Sequence, residues 1–326
     1  MSVPAAALAR RRRGVPELRV APKYAIWGVL VVLLGIAALL SDAFLEPVYL
    51  ANVVRQAAPV GIAALGATVV MILGGVDLSV GAVVSFSAVF AAIQMGGRAD
   101  NIGVAVLSTL GACTLIGLAN GALIAWNRSS SFILTLGTSL VIYGLTQVYS
   151  GGTARGIVAP GFREFFNFRI ADVVPVIALA LVVLAVAVEA LLRLTRFGRA
   201  VYLIGSNAGA ARIAGLSLTR TTLAAYALSG LFAGIAGLAL LARSGVSTTT
   251  SGRGFELDTL AAIVLGGTVF EGGRGSAAAT VAGVLVLFVA FNIVNILGLN
   301  FNLQLVVKGL IVIVASAIYF RLDRER

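Results

Sequence analysis

The sequence predicts an all-α polytopic membrane protein, with about ten transmembrane or partly re-entrant helices and both termini in the cytoplasm. Three observations predict it. Hydrophobic residues make up 60% of the 326 residues and charged residues 11%, against about 45–50% and about 25% in soluble domains. Apolar runs near twenty residues recur along the whole chain, the length that a bilayer requires of a helix. Arg and Lys gather in segments that would share one side of a membrane. The same composition excludes a water-soluble globule, which could not cover its surface with so few charges. It also excludes intrinsic disorder, which needs low hydrophobicity.

The chain opens with a basic cytoplasmic tail, 1–23, that carries Arg10, Arg11, Arg12, Arg13, Arg19 and Lys23. An apolar run follows from Tyr24 to Leu40. It is long for a signal-peptide core and no small-residue cleavage site follows, so it reads as an uncleaved first span. Further apolar segments fall at 57–75, 80–95, 102–126, 132–149, 173–194, 221–242, 257–270, 277–298 and 302–320. Segments 80–95 and 257–270 are short for a bilayer. The domain organisation is therefore one transmembrane domain, 24–320, with a cytoplasmic tail at 321–326 and its largest cytoplasmic loop at 195–220.

An even number of spans puts both termini on one side. With that side taken as the cytoplasm, it holds sixteen Arg and Lys residues and the opposite side seven, with Lys308 inside a span. The net charge of +11 is thus a positive-inside bias, and no nucleic-acid partner is expected. With no His, His metal ligands and Ser-His-Asp triads are impossible, and no metal site is expected. The single cysteine, Cys113, lies in an apolar run and can form no intrachain disulfide. No segment matches the phosphate-binding GxxxxGK[ST] pattern, so the chain binds no nucleotide by such a loop.

Two segments in opposite halves are broken by glycine. The first reads Leu73-Gly74-Gly75-Val76-Asp77-Leu78-Ser79-Val80-Gly81, the second Leu265-Gly266-Gly267 and then Glu271-Gly272-Gly273-Arg274-Gly275-Ser276. Glycine pairs weaken a helix, and irregular backbone at membrane depth is tolerated only in protein or against water. Interrupted segments in corresponding places of two halves point to a transport pathway. Asp77 lies between apolar runs with no basic neighbour in sequence. It reads as a cavity or gate residue; Asp77 or Ser79 could also cap a helix starting near Val80, and the two roles can coexist. Asn292 with Asn295, Gln304 with Lys308, and Thr135 with Thr138 and Ser139 share helix faces. They could line a path for a hydroxylated solute or bond helix to helix. Gly117 with Gly121 and Gly230 with Gly234 are GxxxG packing motifs. Glu256 and Asp258 open their segment, where a helix N-terminus favours acidic residues.

The cytoplasmic loop runs Arg196-Phe197-Gly198-Arg199-Ala200-Val201-Tyr202-Leu203-Ile204-Gly205-Ser206-Asn207, then Ala208-Gly209-Ala210-Ala211-Arg212-Ile213-Ala214-Gly215-Leu216. Asn207 is a suitable N-cap and Gly215 a suitable stop, which predicts a two-turn helix between them. A short helix of small residues can enter a groove on another protein.

The pattern of Gly198, Arg199, Tyr202, Gly205, Asn207, Ala211, Arg212 and Gly215 resembles the coupling loop of permease subunits of bacterial ABC importers for monosaccharides, the ribose/xylose/galactose group. The stretch Gly74 to Gly81 resembles that family's G-G-x-D-L-S-V-G. The blocks Glu256 to Gly267, Gly272 to Ser276 and Val307-Lys308-Gly309 also fit. One departure is Ser129-Ser130-Ser131 before Phe132-Ile133, where the family often has prolines. The resemblance implies a non-enzymatic permease subunit, multi-pass in the bacterial inner membrane, with no cofactor of its own. Its partners would be a second permease copy, a cytosolic ATPase, often with two fused nucleotide-binding domains, that binds ATP and Mg, and a periplasmic or lipid-anchored sugar-binding protein. The solute would be a neutral sugar or polyol, because few intramembrane charges could serve a charged one. A furanose-like signalling molecule, a nucleoside or a branched-chain amino acid are the other solutes in view. Gly74, Gly75, Asp77, Ser79, Gly266, Gly267, Asn292 and Asn295 are the expected path or gate residues. The alternative is an ion-coupled secondary transporter that uses Asp77.

Overall fold

The computed structural model describes residues 22–127 and 130–298, together with Leu303, Val306, Val307, Gly309, Leu310 and Ile313. The basic tail up to residue 21, Arg128, most of segment 302–320 with Gln304 and Lys308, and the tail 321–326 lie outside the described residues. The helices are α1 (Pro22–Leu40), α2 (Pro47–Ile72), α3 (Val80–Met95), α4 (Ile102–Asn127), α5 (Ser131–Ser150), α6 (Pro160–Asn167), α7 (Val176–Leu194), α8 (Arg196–Ser206), α9 (Ala208–Ile213), α10 (Leu218–Ser244), α11 (Phe255–Leu265) and α12 (Ala277–Ile296). A two-residue antiparallel pair, β1 (Arg169–Ile170) and β2 (Val174–Pro175), joins α6 to α7.

Among the described residues, six helices are long and apolar enough to cross a bilayer: α2, α4, α5, α7, α10 and α12. Ile26–Leu40 of α1 and all of α3 are shorter apolar helices. The observed α3, α4, α5, α7, α10 and α12 match the expected segments to within a few residues. The expected start of the second segment at 57 is corrected to Pro47. Asn52, Arg55 and Gln56 break the apolar run there, yet the helix continues, with the Asn52 and Arg55 side chains partnered from β1 and α6. Arg169 donates to Asn52 Oδ1 at 2.8 Å and Arg55 to Asn167 Oδ1 at 3.2 Å. The expected segment 257–270 is shortened to α11, with 266–276 outside any helix.

The core is built around α2 and α10. In α2, 83% of the apolar window is buried, and in α10 and α12 67%, whereas α4 and α5 bury 22% and α7 28%. The last three therefore form a periphery whose apolar sides need lipid or another protein. The two GxxxG motifs meet at the α4–α10 crossing. A Cβ on Gly117 would lie 2.1 Å from the Tyr226 carbonyl, and one on Gly230 2.3 Å from the Cys113 carbonyl. Only glycine allows backbones that close.

Helix α3 begins inside the bundle, not at its end. Asp77, just before it, bonds to Ser229 near the middle of α10. Sixteen residues reach only about 24 Å. After α10 the chain turns back, and Gly252 packs on the first turn of α3, with its N–H on Ser85 Oγ at 2.8 Å. Helix α11 thus also starts within the bundle. Its N-terminus holds Glu256, whose carboxylate accepts the Gly254 N–H, as the acidic first turn led one to expect.

Candidate functional site

The first break runs from Leu73 to Ser79 and is satisfied by side chains from two other helices. Val76 N–H donates to Ser131 Oγ and Leu78 N–H to Thr135 Oγ1, each at 3.0 Å, while Tyr226 Oη donates to the Val76 carbonyl at 3.1 Å. Buried backbone out of helix needs such partners. Thr135 therefore joins α5 to the break, whereas Thr138 and Ser139 bond only to carbonyls of their own helix. Ser131 heads α5 where the resembling family often has proline, and its hydroxyl takes one of the freed N–H groups.

Asp77 is buried, at 4% exposure. Its Oδ1 accepts the Ser79 N–H at 3.0 Å and the Ser79 hydroxyl at 2.6 Å, and its Oδ2 accepts the Ser229 hydroxyl at 2.7 Å. Asn120 Nδ2 donates to Ser79 Oγ at 2.9 Å. Asp77 thus ties the break to α10, and through Ser79 to α4. The local contacts of Asp77 are those of a turn. It closes a turn onto the N–H two residues on, although Ser79 itself, at the cap position, makes no side-chain capping bond.

The second break lies against the first. Gly273 N–H donates to the Ile72 carbonyl at 2.7 Å. A Cβ on Gly272 would lie 2.8 Å from Gly74, and one on Gly205 of α8 2.0 Å from the Ile72 carbonyl and 2.6 Å from Gly273 N. Tyr202 Oη donates to the Gly275 carbonyl at 2.8 Å. The structure so brings both glycine breaks and the start of loop 195–220 to one point. Burial, and then the Glu189 carboxylate, push the Tyr202 hydroxyl above its ordinary range, so it stays a proton donor.

The loop itself is two helices. The expected helix after Asn207 is present as α9, with Asn207 Oδ1 accepting the Ala210 N–H at 2.9 Å and Gly215 at φ +78 beyond its end. Helix α8 before it was not expected. Its signal was available in Thr195, whose Oγ1 accepts the Gly198 N–H at 3.1 Å. A Cβ on Gly198 would lie 2.1 Å from the Leu192 carbonyl, so glycine permits the tight elbow from α7 into α8. Ala211 faces inward, packed with Ala200 and Ile204. Arg199, Asn207 and Arg212 are exposed, and so is Ile213, at 92%. Sequence reading passed over Ile213, an apolar residue in a polar loop, and Glu189 in α7.

Not every expected site residue converges here. Gly75 lies under Tyr226 Oη, Gly266 packs on the Ala279 carbonyl, and Gly267 has open space around it. Asn292 and Asn295 are at the opposite end of the bundle. There Tyr49, Asn52, Val53, Arg55, Gln56, Arg169, Asn292 and Asn295 line a polar cavity of about 470 Å³. Tyr49 Oη donates to Asn292 Oδ1 at 3.4 Å.

Residues 49–316 match the family described as the permease component of the branched-chain amino acid transport system. The chain belongs to this permease family. The permease is 39% identical over 300 residues to the ribose import permease protein RbsC of Bacillus subtilis (strain 168), covering 91% of each chain. It is 34% identical over 292 residues to RbsC of Escherichia coli (strain K12), covering 88% of the permease and 90% of that relative. It is 33% identical over 314 residues to the galactose/methyl galactoside import permease protein MglC of the same strain, covering 90% and 92%. No solved structure matches. The resemblance to monosaccharide import permeases is borne out, and the permease is a multi-pass transport component rather than an enzyme. These relatives do not favour the ion-coupled alternative.

Proposed function

We propose that the permease forms the membrane path of an ABC importer for a neutral sugar or polyol, in the bacterial inner membrane, with both termini cytoplasmic. The observation that carries this reading is the likeness, over about nine-tenths of both chains, to permeases named for ribose and galactose import. A cytosolic ATPase, with two fused nucleotide-binding domains, would bind ATP and Mg and dock on α8 and α9. A periplasmic or lipid-anchored binding protein would deliver the sugar to the opposite end, and a second permease copy would complete the path. The arrangement of α8 on both glycine breaks supports the coupling role: whatever moves α8 pushes directly on the two segments least able to resist as helices. Gly74, Gly75, Asp77, Ser79, Gly266 and Gly267 would then act as the inner gate region, and Asn292 and Asn295 as part of the opposite mouth.

The family description favours a second reading, a branched-chain amino acid as solute. A zwitterion calls for a counter-charge at each end, and Asp77, the carboxylate in the first break, is already held by three hydrogen bonds. A neutral polyol needs only hydroxyls and amides, which this chain supplies. Uptake by the permease reconstituted with its ATPase and binding protein decides between them. Uptake of D-ribose or D-galactose that requires ATP and the binding protein is the expected result. Uptake of L-leucine alone would move the solute class to amino acids. Uptake without the ATPase that collapses with an ionophore would overturn the importer reading.

A further inference from the structure

Glu189 is the one acidic residue of α7. Its Oε2 accepts the N–H groups of Ala277 and Ala278, at 2.8 and 3.3 Å, in the first turn of α12. Its Oε1 accepts from Arg193, one turn further along α7. Ser276 Oγ takes the next N–H, of Ala279, at 3.2 Å. A carboxylate here satisfies two of the orphan N–H groups of a helix and meets its positive end. The pairing spans nearly ninety residues of chain, so it joins two elements that nothing local connects.

The same two elements are joined to α8. Thr195 Oγ1 donates to the Leu191 carbonyl at 2.6 Å and accepts the Gly198 N–H, which makes the α7–α8 elbow stiff. Tyr202 reaches from α8 to Gly275, two residues before α12. The end of α7, the elbow, α8 and the first turn of α12 are thus one hydrogen-bonded body. We propose that Glu189 is a positioning residue that makes α12 follow the displacement of α8 when the partner ATPase closes on the coupling loop. This rests on the coupling role proposed above. Through α12 the displacement reaches Asn292 and the cavity at the far end, so a single strap links the ATPase side to the opposite mouth.

The test uses the complete importer in proteoliposomes, with D-ribose or D-galactose as probe, according to which the wild type takes up. Glu189→Ala is expected to hydrolyse ATP at the wild-type rate while uptake falls about tenfold. Glu189→Gln keeps the shape and one acceptor oxygen and is expected to fall less, again with hydrolysis unchanged. Spin labels on Val104 and Leu297, both exposed, in a Cys113→Ala background, read the displacement of α12 against α4. A shift on adding a non-hydrolysable ATP analogue in the wild type, lost in Glu189→Ala and reduced in Glu189→Gln, is the expected result. Uptake and hydrolysis that fall in proportion in Glu189→Gln, or a shift that persists in both variants, would overturn the strap. A wild type with no nucleotide-dependent shift and no ATP-dependent uptake would remove the coupling role itself, and the strap with it.

Discussion

Asp77 shows how a single carboxylate can hold a broken membrane helix together. Its three acceptor contacts come from Ser79 and Ser229, and none from a cation among the described residues. Removing the carboxylate leaves a buried N–H and two hydroxyls without their acceptor. Asp77→Ala should therefore cost about 4 kcal/mol or more of stability, since three hydrogen bonds to a charged group are lost and each is worth about 1.5–3 kcal/mol. Asp77→Asn, which keeps one acceptor oxygen for Ser79, should cost clearly less. Thermal unfolding midpoints in detergent check both, and equal losses would show that charge, not hydrogen bonding, is what the site needs. The sequence named Asp77 correctly as singular. It could not name Ser229, because that partner lies 152 residues away and is one of many serines on apolar helices.

At the level of elements, loop 195–220 divides into a part held against the bundle and a part with an open face. Helix α8 is fixed by Gly205 and Tyr202 against both breaks. Gly205→Ala would place a Cβ 2.0 Å from the Ile72 carbonyl, and backbone cannot give way as a flexible side chain can. We expect a loss of about 2 kcal/mol from overpacking, seen as a lower unfolding midpoint, together with lost uptake. Helix α9 is held by Ala211 but shows an open face, where Arg212 and Ile213 are exposed. Arg212→Glu with Ile213→Asp should leave the unfolding midpoint unchanged and abolish co-purification of the ATPase. An ATPase still retained by this double variant would place docking elsewhere on the loop. Ala211 is no part of such a test, since it packs inward and a charge there would disturb the bundle. The residue pattern of the loop was legible, down to the Asn207 cap. Its division was not, because a pattern does not tell which side of a helix meets its own protein.

Across the whole molecule, close backbone approach at glycine adds to the packing of buried large side chains such as Ile62, Leu65 and Leu241. Apart from lipid, such helices gain little by burying apolar surface against one another, so small residues and fit decide. The α4–α10 crossing depends on Gly117 and Gly230 in this way. Gly117→Leu should force the helices apart and cost about 3 kcal/mol or more. The expected outcome is poor insertion or an aggregated elution profile in detergent, whereas Gly103→Leu, with open space around its Cβ position, should behave as wild type. Loss in both would mean that leucine is harmful on α4 in general, not at the crossing.

By itself the sequence determined the class of molecule, the position of most membrane helices, the two glycine breaks, the GxxxG contacts and the capped helix after Asn207. All of these are written in local composition or in spacing along one helix. Only the tertiary structure decided that the two breaks touch each other and α8, that α3 and α11 start inside the bundle, that the second helix begins at Pro47, and that Glu189 belongs to α12. Each of these depends on a polar or backbone group finding its partner far away in the chain. In an apolar medium that partner is obligatory, but local sequence says only that one is needed, not where it is.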